Sequence, residues 1–222
     1  MPQVIVSYDG TRNDRDALAL GRLFAQAGAE ISLAYVRHAK EPDAQHEAMA
    51  QRDAGHLLAI GASLLDGPGV GQHVIVNSST AEGLAALAAE LGADVIAFGS
   101  SYRTPAGRVE LPHTAEQLLD RGIACSLALA PAGLRREPVE RSIGTVSVYD
   151  EDDDQAALAT AKSLAHALGA VVTEHEADLL VITSRSEAPH GQLLLSGTAR
   201  EQVEQAQCPV LALARGAALS FG

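Results

Sequence analysis

The sequence of 222 residues contains no tryptophan, 3% aromatic residues and two cysteines, and it has no apolar run close to the length of a transmembrane helix. Acidic residues outnumber basic ones by 28 to 16, which gives a formal net charge of −12. Binding to a nucleic-acid backbone or to an anionic membrane requires clustered lysine and arginine. This charge balance therefore argues against a nucleic-acid or membrane partner.

The cysteine count indicates a reducing compartment. Cys125 and Cys208 are too few for a disulfide framework and lie outside any CxxC motif. Each opens an apolar segment, so we expect both to be buried and unreactive. The first residues, "MPQVIVSYDG", lack the basic start and long apolar stretch of a signal peptide. We therefore expect a cytoplasmic protein.

The chain repeats itself. The segment "VIVSYDG" returns as "GTVSVYDE", so that Tyr8-Asp9 matches Tyr149-Asp150 at a spacing of 141 positions. Further on, "GADVIAFGSS" returns as "EADLLVITSR" at a spacing of 84 positions. The two spacings differ by 57, which implies that the second copy lacks about that many residues from its middle. The repeat predicts a complete domain at 1–133, a linker at 134–142 and a truncated second domain at 143–222.

Short apolar runs alternate with helical patterns in the first copy. The patterns predict strands at 3–8, 30–36, 72–76, 94–99 and 125–130, and helices at 13–28, 43–64, 79–91 and 114–121. This alternation is typical of an α/β fold, with an open, mostly parallel five-stranded sheet and helices on both faces. The second copy retains the first strand and helix, a short apolar segment, and the last strand–loop–helix–strand.

Three features of the first copy converge on the carboxyl edge of this sheet, where ligands bind in open α/β folds. Asp9 ends the first strand, Val36 ends the second, and Gly99 begins the loop "GSSYRTPAGRVELPHTAEQLL" after the fourth. A carboxylate there can accept hydrogen bonds from an adenine or ribose, and a glycine followed by a helix start can bind phosphate. The alternative is that Asp9 serves only a turn and Thr114 only caps a helix.

The acidic run "DEDDD" at 150–154 could indicate a metal site. The start of a helix is the favoured interpretation, because acidic side chains in the first turn interact favourably with the helix dipole. The sequence has no metal-ligand spacing, no catalytic triad and no GxxxxGK[ST] loop. We therefore predict no metal site and no catalytic residues.

These segments give the chain a resemblance to the universal stress protein family in a tandem arrangement. The resemblance rests on "VIVSYDGTRNDRDALALG", "ADVIAFGSS", "GRV…TAEQLL" and "CSLALAP". It implies an adenine-nucleotide alpha hydrolase-like fold and a site for ATP, with Mg accompanying it. The residues implied are Tyr8, Asp9, Val36, Gly99, Ser100, Arg103, Gly107, Arg108, His113 and Thr114.

The phosphate loop departs from the family pattern G-x2-G-x9-G-[ST]. Tyr102 stands at the second glycine, and the closing pair falls on Pro112-His113, or on His113-Thr114 if one extra residue is allowed. In the second copy the first glycine is replaced by Thr183, and acids follow Asp150. We therefore expect any nucleotide binding to be confined to the first copy.

Three functions remain open at this stage. The first is a weak sensor of ATP or another adenine nucleotide, and the second is an interaction module that no longer binds nucleotide. The third is a slow ATPase. The resemblance also implies that the last strand of each copy pairs with a partner strand, either within the chain as a pseudo-dimer or by self-association.

Overall fold

The computed structural model describes residues 1–65, 69–136, 143–151, 154–175 and 177–222. The strands are β1 (Gln3–Ser7), β2 (Glu30–Arg37), β3 (Gly71–Val76), β4 (Val95–Gly99), β5 (Ser126–Ala130), β6 (Thr145–Tyr149), β7 (Val171–Thr173), β8 (Leu179–Thr183) and β9 (Val210–Leu213). The helices are α1 (Asp14–Gln26), α2 (Ala44–Ser63), α3 (Thr80–Leu91), α4 (His113–Arg121), α5 (Gln155–Leu168) and α6 (Gly197–Gln205). The α/β class and the order of elements in the first copy are confirmed.

All these strands form one sheet in the order β3-β2-β1-β4-β5-β9-β8-β6-β7. Neighbouring strands are parallel except β5 and β9, which run antiparallel. We call β1 to β5 with their helices the N-terminal half, and β6 to β9 with theirs the C-terminal half. The last strands of the two halves thus join them into a single sheet.

Helices cover both faces of the sheet. One apolar core packs α1, α2 and α5 against one face, and it includes the stacked rings of Phe24 and Phe221. The other core packs α3, α4 and α6 against the opposite face. Every residue of the central strands β4, β5 and β9 is buried. This explains why these strands read as continuous apolar runs, as expected for strands covered on both sides.

Local signals set the helix ends. The Ser79 side chain accepts a hydrogen bond from the Glu82 amide to start α3, and Gly92, with a φ of 63°, ends it. In the C-terminal half, Asp154 caps α5 by accepting from the Ala156 amide. The acidic run therefore leads into a helix, as predicted, although residues 152–153 lie outside the described part of the chain.

The two halves share the same strand arrangement with different completeness. β6, β8 and β9 occupy the places of β1, β4 and β5, and the three-residue β7 takes that of β2. Counterparts of α2, β3 and α3 are missing from the described C-terminal half. A shortened second copy fits this sheet. Within the predicted linker, Leu134–Arg136 form a short 3-10 helix, and 137–142 lie outside the described residues.

The strand register corrects one detail of the repeat. β1 pairs with β4 through Val4 and Val95, whereas β6 pairs with β8 through Val146 and Leu179. Because Leu179 follows Val95 by 84 positions, Val146 is the counterpart of Val4, at a spacing of 142 and not 141. Tyr149 therefore does not occupy the place of Tyr8. A shift of one residue in a strand sends every side chain to the opposite face.

Within the described residues, we find no helix with the length and apolar character needed to span a bilayer.

Candidate functional site

The candidate site lies where the strand order reverses, between the carboxyl ends of β1 and β4. These two strands are neighbours, and β2 and β5 extend the sheet in opposite directions from them. Asp9 follows β1 closely and Gly99 is the last residue of β4. The topology thus brings Asp9 and Gly99 to one place, which is the usual ligand position in an open α/β sheet.

Asp9 belongs to a pair of carboxyl groups. The Asp14 Oδ2 atom accepts a hydrogen bond of 2.6 Å from the Asp9 amide, and Asp9 Oδ1 accepts one of 3.0 Å from the Thr11 amide. Burial and the hydrogen bond and negative charge of Asp9 raise the pKa of Asp14 to about 8. Burial also raises the pKa of Asp9, but hydrogen bonds from Asp14 and Thr11 outweigh it and hold that pKa below its ordinary value. These opposite shifts favour a proton of the pair on Asp14 and leave Asp9 as the anion.

Gly99 allows the segment before α1 to pack closely against the end of β4. A Cβ atom at this position would lie 2.1 Å from the backbone oxygen of Asn13, just before α1. The Asn13 side chain completes the contact, because its Nδ2 donates a 2.8 Å hydrogen bond to the Ser100 carbonyl. Gly99 therefore lies against the protein's own backbone in this structure.

Ser100 is 2% exposed, and its polar groups are satisfied within the chain. Its Oγ donates to the Ala130 carbonyl at 2.7 Å and accepts from the Glu110 amide at 3.2 Å. Its amide donates to the same Ala130 carbonyl. These bonds tie the loop after β4 to the end of β5.

Tyr8 and Val36 are core residues. The Tyr8 ring is buried against α2, where a Cβ on Gly61 would lie 2.7 Å from its Cε1. Val36 is buried against α3, and a Cβ on Gly83 would lie 3.2 Å from its Cγ1. Their side chains support the walls of the site from opposite faces of the sheet.

Helix α4 begins at His113, after Pro112, and no side chain caps it. The predicted capping role of Thr114 is therefore not observed, because Thr114 lies inside the first turn. His113 is exposed and lies 3.5 Å from the Glu116 carboxylate through Nδ1. The amino end of this helix leaves Thr114 next to backbone N–H groups that have no partner within the helix.

The remaining predicted residues lie along the loop between β4 and α4. Arg103 is exposed, with its guanidinium 5.0 Å from the centre of the Tyr102 ring. Gly107 has a φ of 79° and donates from its amide to the Ala132 carbonyl. Arg108 donates to the Gln205 carbonyl at 3.2 Å. Gly107 and Arg108 thus contact the β5 end and the C-terminal half.

The C-terminal half has different residues at the positions that correspond to the candidate site. By the strand register, Glu151 stands at the place of Asp9 and Asp150 at that of Tyr8. Hydrogen bonds from the hydroxyls of Thr198 and Ser196 lower the pKa of Glu151. Ser196 is the N-cap of α6, the counterpart of α4. A carboxylate of the chain itself therefore lies beside the hydroxyls at the amino end of α6.

Thr183 stands at the place of Gly99 in this half. Its hydroxyl donates to Asp150 Oδ1 at 3.2 Å.

The sequence analysis missed Asn13, Asp14 and Glu151. The two residues of the first half follow Asp9 closely, and polar residues just before a helix are a signal for capping and turn bonds. The role of Glu151 depended on the strand register, which the matching Tyr-Asp pairs concealed.

Asp9, Val36, Gly99 and Thr114 do not line either of the two best-formed cavities among the described residues, although Gly107 lines one of them. Cys125 lines the other; burial and the charge of Asp94 raise the pKa of its thiol to about 12. Cys208 is half-buried, contrary to the expectation of full burial.

The described residues contain no cluster of three or more histidine, cysteine or acidic side chains suited to a metal ion.

Comparison with known proteins extends these observations. The sequence model of the universal stress protein family matches residues 1–128. The structure of a universal stress protein from Archaeoglobus fulgidus DSM 4304 is 16% identical, with a TM-score of 0.70 over 96% of this chain and 98% of that one. A functionally unknown protein from Pseudomonas aeruginosa PAO1 is 13% identical, with a TM-score of 0.65 over 97% of this chain and 93% of that one.

A universal stress protein in complex with cAMP matches 52% of this chain and 88% of its own, at 21% identity and a TM-score of 0.36. Among curated proteins, no significant match was found.

Proposed function

This chain belongs to the universal stress protein family, and from that premise we propose that its N-terminal half binds an adenine nucleotide weakly and acts as a sensor. Occupancy would stabilise one arrangement of the site and so change the affinity for a partner. In this proposal residues 1–133 form the nucleotide-binding domain, and residues 143–222 form a shortened domain that does not bind nucleotide.

The observation that carries the proposal is the internal anion of the C-terminal half. There, the hydroxyls of Thr198 and Ser196 at the start of α6 hold the pKa of the Glu151 carboxylate below its ordinary value, and the Tyr149 hydroxyl donates to Glu151 Oε1 at 3.2 Å. Thr114 is the counterpart of Thr198, 84 positions earlier, and α4 has no side-chain cap. An external phosphate can take the place at α4 that Glu151 takes at α6, because helix amino ends favour anions.

The charges around Asp9 are consistent with this assignment. Asp9 is exposed and stays ionised, because Asp14 holds the shared proton. An ionised carboxylate accepts hydrogen bonds from an adenine amino group or ribose hydroxyls. Arg103, exposed on the intervening loop, supplies a positive charge for the phosphates. A magnesium ion would enter with the nucleotide, since the described residues offer no metal cluster of their own.

Isothermal titration with ATP, ADP and cAMP to millimolar concentration tests the proposal. We expect binding near one equivalent that is lost in Asp9→Ala and about tenfold weaker in Thr114→Val, the loss of one hydrogen bond to a charged group. Thr198→Val is the matched control and leaves nucleotide affinity unchanged. Absence of heat with all three nucleotides, together with no thermal stabilisation, would contradict the proposal.

A second candidate is an interaction module that works without nucleotide. The hydrogen bonds of the loop after β4 favour it. Ser100 is satisfied internally, and the Val109 amide donates to the Ala206 carbonyl of the C-terminal half. The Leu193 amide donates to the Ile123 carbonyl in the reciprocal contact. A loop held in this way keeps its shape without a ligand, and the same titration distinguishes the two candidates.

A further inference from the structure

A cavity of about 470 Å³ lies between the two halves, and Asp9, Gly99 and Thr114 are not among its lining residues. One wall is the outer face of α1, and another is the segment from Pro131 to Arg136 after β5. The C-terminal half contributes Ile143, Asp178 and the residues just before β9. This volume falls within the range of small-molecule sites, and a position between two structural units is common for them.

The described residues that line the cavity have the opposite charge to the whole protein. Among them are four arginines, Arg15, Arg22, Arg135 and Arg136, and one acidic residue, Asp178. The chain as a whole carries a net charge of −12. Arginine presents a planar set of donors that matches carboxylate and phosphate groups. The concentration of arginine here therefore points to an anionic ligand.

A buried ion pair fixes one side of the cavity. Asp16 is 1% exposed and accepts hydrogen bonds from the amides of Gly133 and Arg135 and from the Arg135 guanidinium at 2.6 Å. This ties the segment after β5 to α1 and sets the position of Arg136 next in the chain. Arg15 and Arg136 are exposed and form no salt bridge with any residue that the structure describes.

The cavity also has an apolar lining. Leu18 and Leu23 of α1, Pro131, Leu134, Ile143 and Pro209 contribute to it. Leu18 and Ile143 are buried in the core beneath. A ligand that fits needs an apolar body for this surface and a negatively charged group for the arginines.

We propose that this cavity binds a small organic anion, a carboxylate, sulfonate or phosphate ester with an apolar body, whose charged group pairs with Arg15 and Arg136. Since both halves line the cavity, such a ligand would hold the halves together. Gly107 is the one residue of the predicted nucleotide site that also lines this cavity, whereas Asp9 and Thr114 do not. The proposal therefore does not require nucleotide binding at Asp9 and Thr114.

The probe for the test is 1-anilinonaphthalene-8-sulfonate, a fluorescent apolar anion, titrated into the full-length protein. We expect one saturable site that inorganic pyrophosphate displaces. The double variant Arg15→Gln/Arg136→Gln should weaken binding about tenfold or more, since hydrogen bonds to charged groups are lost. Arg52→Gln, an exposed change on α2, is the charge control and should leave the affinity unchanged.

A second variant removes the space and leaves the charges. Ala19 lines the cavity, so Ala19→Phe should abolish saturable binding, whereas Ala48→Phe on the exposed face of α2 should not. Thermal unfolding of each variant shows whether it folds. If Ala19→Phe does not fold, the double variant Arg15→Gln/Arg136→Gln tests the proposal. Absence of a saturable site in the natural sequence, equal affinity in all variants, or failure of pyrophosphate to compete would overturn the proposal. Asp9→Ala should retain probe binding, which separates this result from failure of the nucleotide site.

Discussion

The two halves of the sheet differ most at the amino end of the helix that precedes their last strand. In the C-terminal half, Glu151 places its carboxylate at the start of α6, among the hydroxyls of Ser196 and Thr198. In the N-terminal half, Asp9 is bonded to Thr11 and Asp14, and α4 starts without a side-chain cap. The same backbone arrangement therefore contains its own anion in one half and leaves the place open in the other.

What the halves share is equally informative. Ser184 repeats the bonds of Ser100, since its Oγ accepts from the Leu194 amide at 2.9 Å and its own amide donates to the Leu213 carbonyl. The serine after the strand therefore holds the loop in both halves, including the one that has lost the glycine before it. This contact, which both halves share, is structural, and the difference between the halves lies in the acidic residues.

The largest expected change in the free energy of unfolding comes from replacing the buried Asp16 of α1 by alanine, the residue that α5 has at the corresponding position. Asp16 holds Gly133 and Arg135, whereas the corresponding position of α5, counted from the N-cap, is the buried Ala157. Asp16→Ala leaves Arg135 without its buried partner and should cost about 3–5 kcal/mol in the free energy of unfolding. Urea denaturation measures it. Ala157→Ser, a change without a buried ion pair, should cost less, and the reverse order would show that the pair does not stabilise the fold.

The next effect concerns Gly99 and its counterpart Thr183. Gly99→Ala places a Cβ against the Asn13 backbone and should lower the free energy of unfolding by about 1–3 kcal/mol through overpacking. Thr183→Ala removes only the hydroxyl bonded to Asp150 and should cost about 1 kcal/mol. Both values come from denaturant curves at one pH. Equal costs would mean that the loop before α1 moves freely away from β4.

A pH dependence separates the carboxyl pair of the N-terminal half from ordinary surface acids. The pKa of Asp14 is raised from 3.8 to about 8, so the native state binds a proton that the unfolded state has released. The stabilising effect of that proton is complete below about pH 4 and is lost as the pH rises towards 8. Asp14→Asn keeps a donor to Asp9 without the titration, so it should gain stability over the natural protein progressively across this window.

Thermal melts from pH 4 to 9 measure this difference, with exposed Asp53→Asn as the control. A constant difference between Asp14→Asn and the natural protein over the whole range would argue against a shared proton.

The smallest effect is expected at the exposed Glu151. Removing its side chain in Glu151→Ala should lower stability by only about 0.5 kcal/mol, the scale of an exposed charge at a helix amino end. The change should nevertheless open the amino end of α6 to external anions. Inorganic phosphate should then raise the melting temperature of Glu151→Ala more than that of the natural protein, and Glu174→Ala serves as an exposed control. An equal rise in melting temperature with phosphate in all three proteins would show that Glu151 does not act as an internal anion.

Much of the fold follows from local patterns. The apolar runs at 94–99 and 125–130 predicted β4 and β5 to within a residue, because strands buried on both faces need continuous apolar sequence. Ser79 and Gly92 mark the ends of α3 as their residue types suggest. The start of α4 differed by one residue, since Pro112 takes the N-cap position without a side-chain bond. Backbone geometry alone decides such a boundary.

The candidate site was harder to infer from the sequence. Asp9 and Gly99 were identified as neighbours because the ends of parallel strands meet at one edge. The sequence did not reveal that Asn13 lies against Gly99, because a glycine signals close approach without naming what approaches it. Nor did it reveal the sharing of a proton between Asp9 and Asp14, which depends on their burial and distance.

The sequence by itself determined the α/β class and predicted a repeated plan with a shortened second copy, which the nine-stranded sheet fits, because the periodicity of apolar residues and the spacing of matched segments are properties of the chain. Only the tertiary structure decided that β5 and β9 pair within one sheet and that Glu151, not Asp150, stands in the place of Asp9. Strand register depends on which backbone groups pair across the sheet, and a slip of one residue is invisible in a local sequence match while it exchanges the two faces.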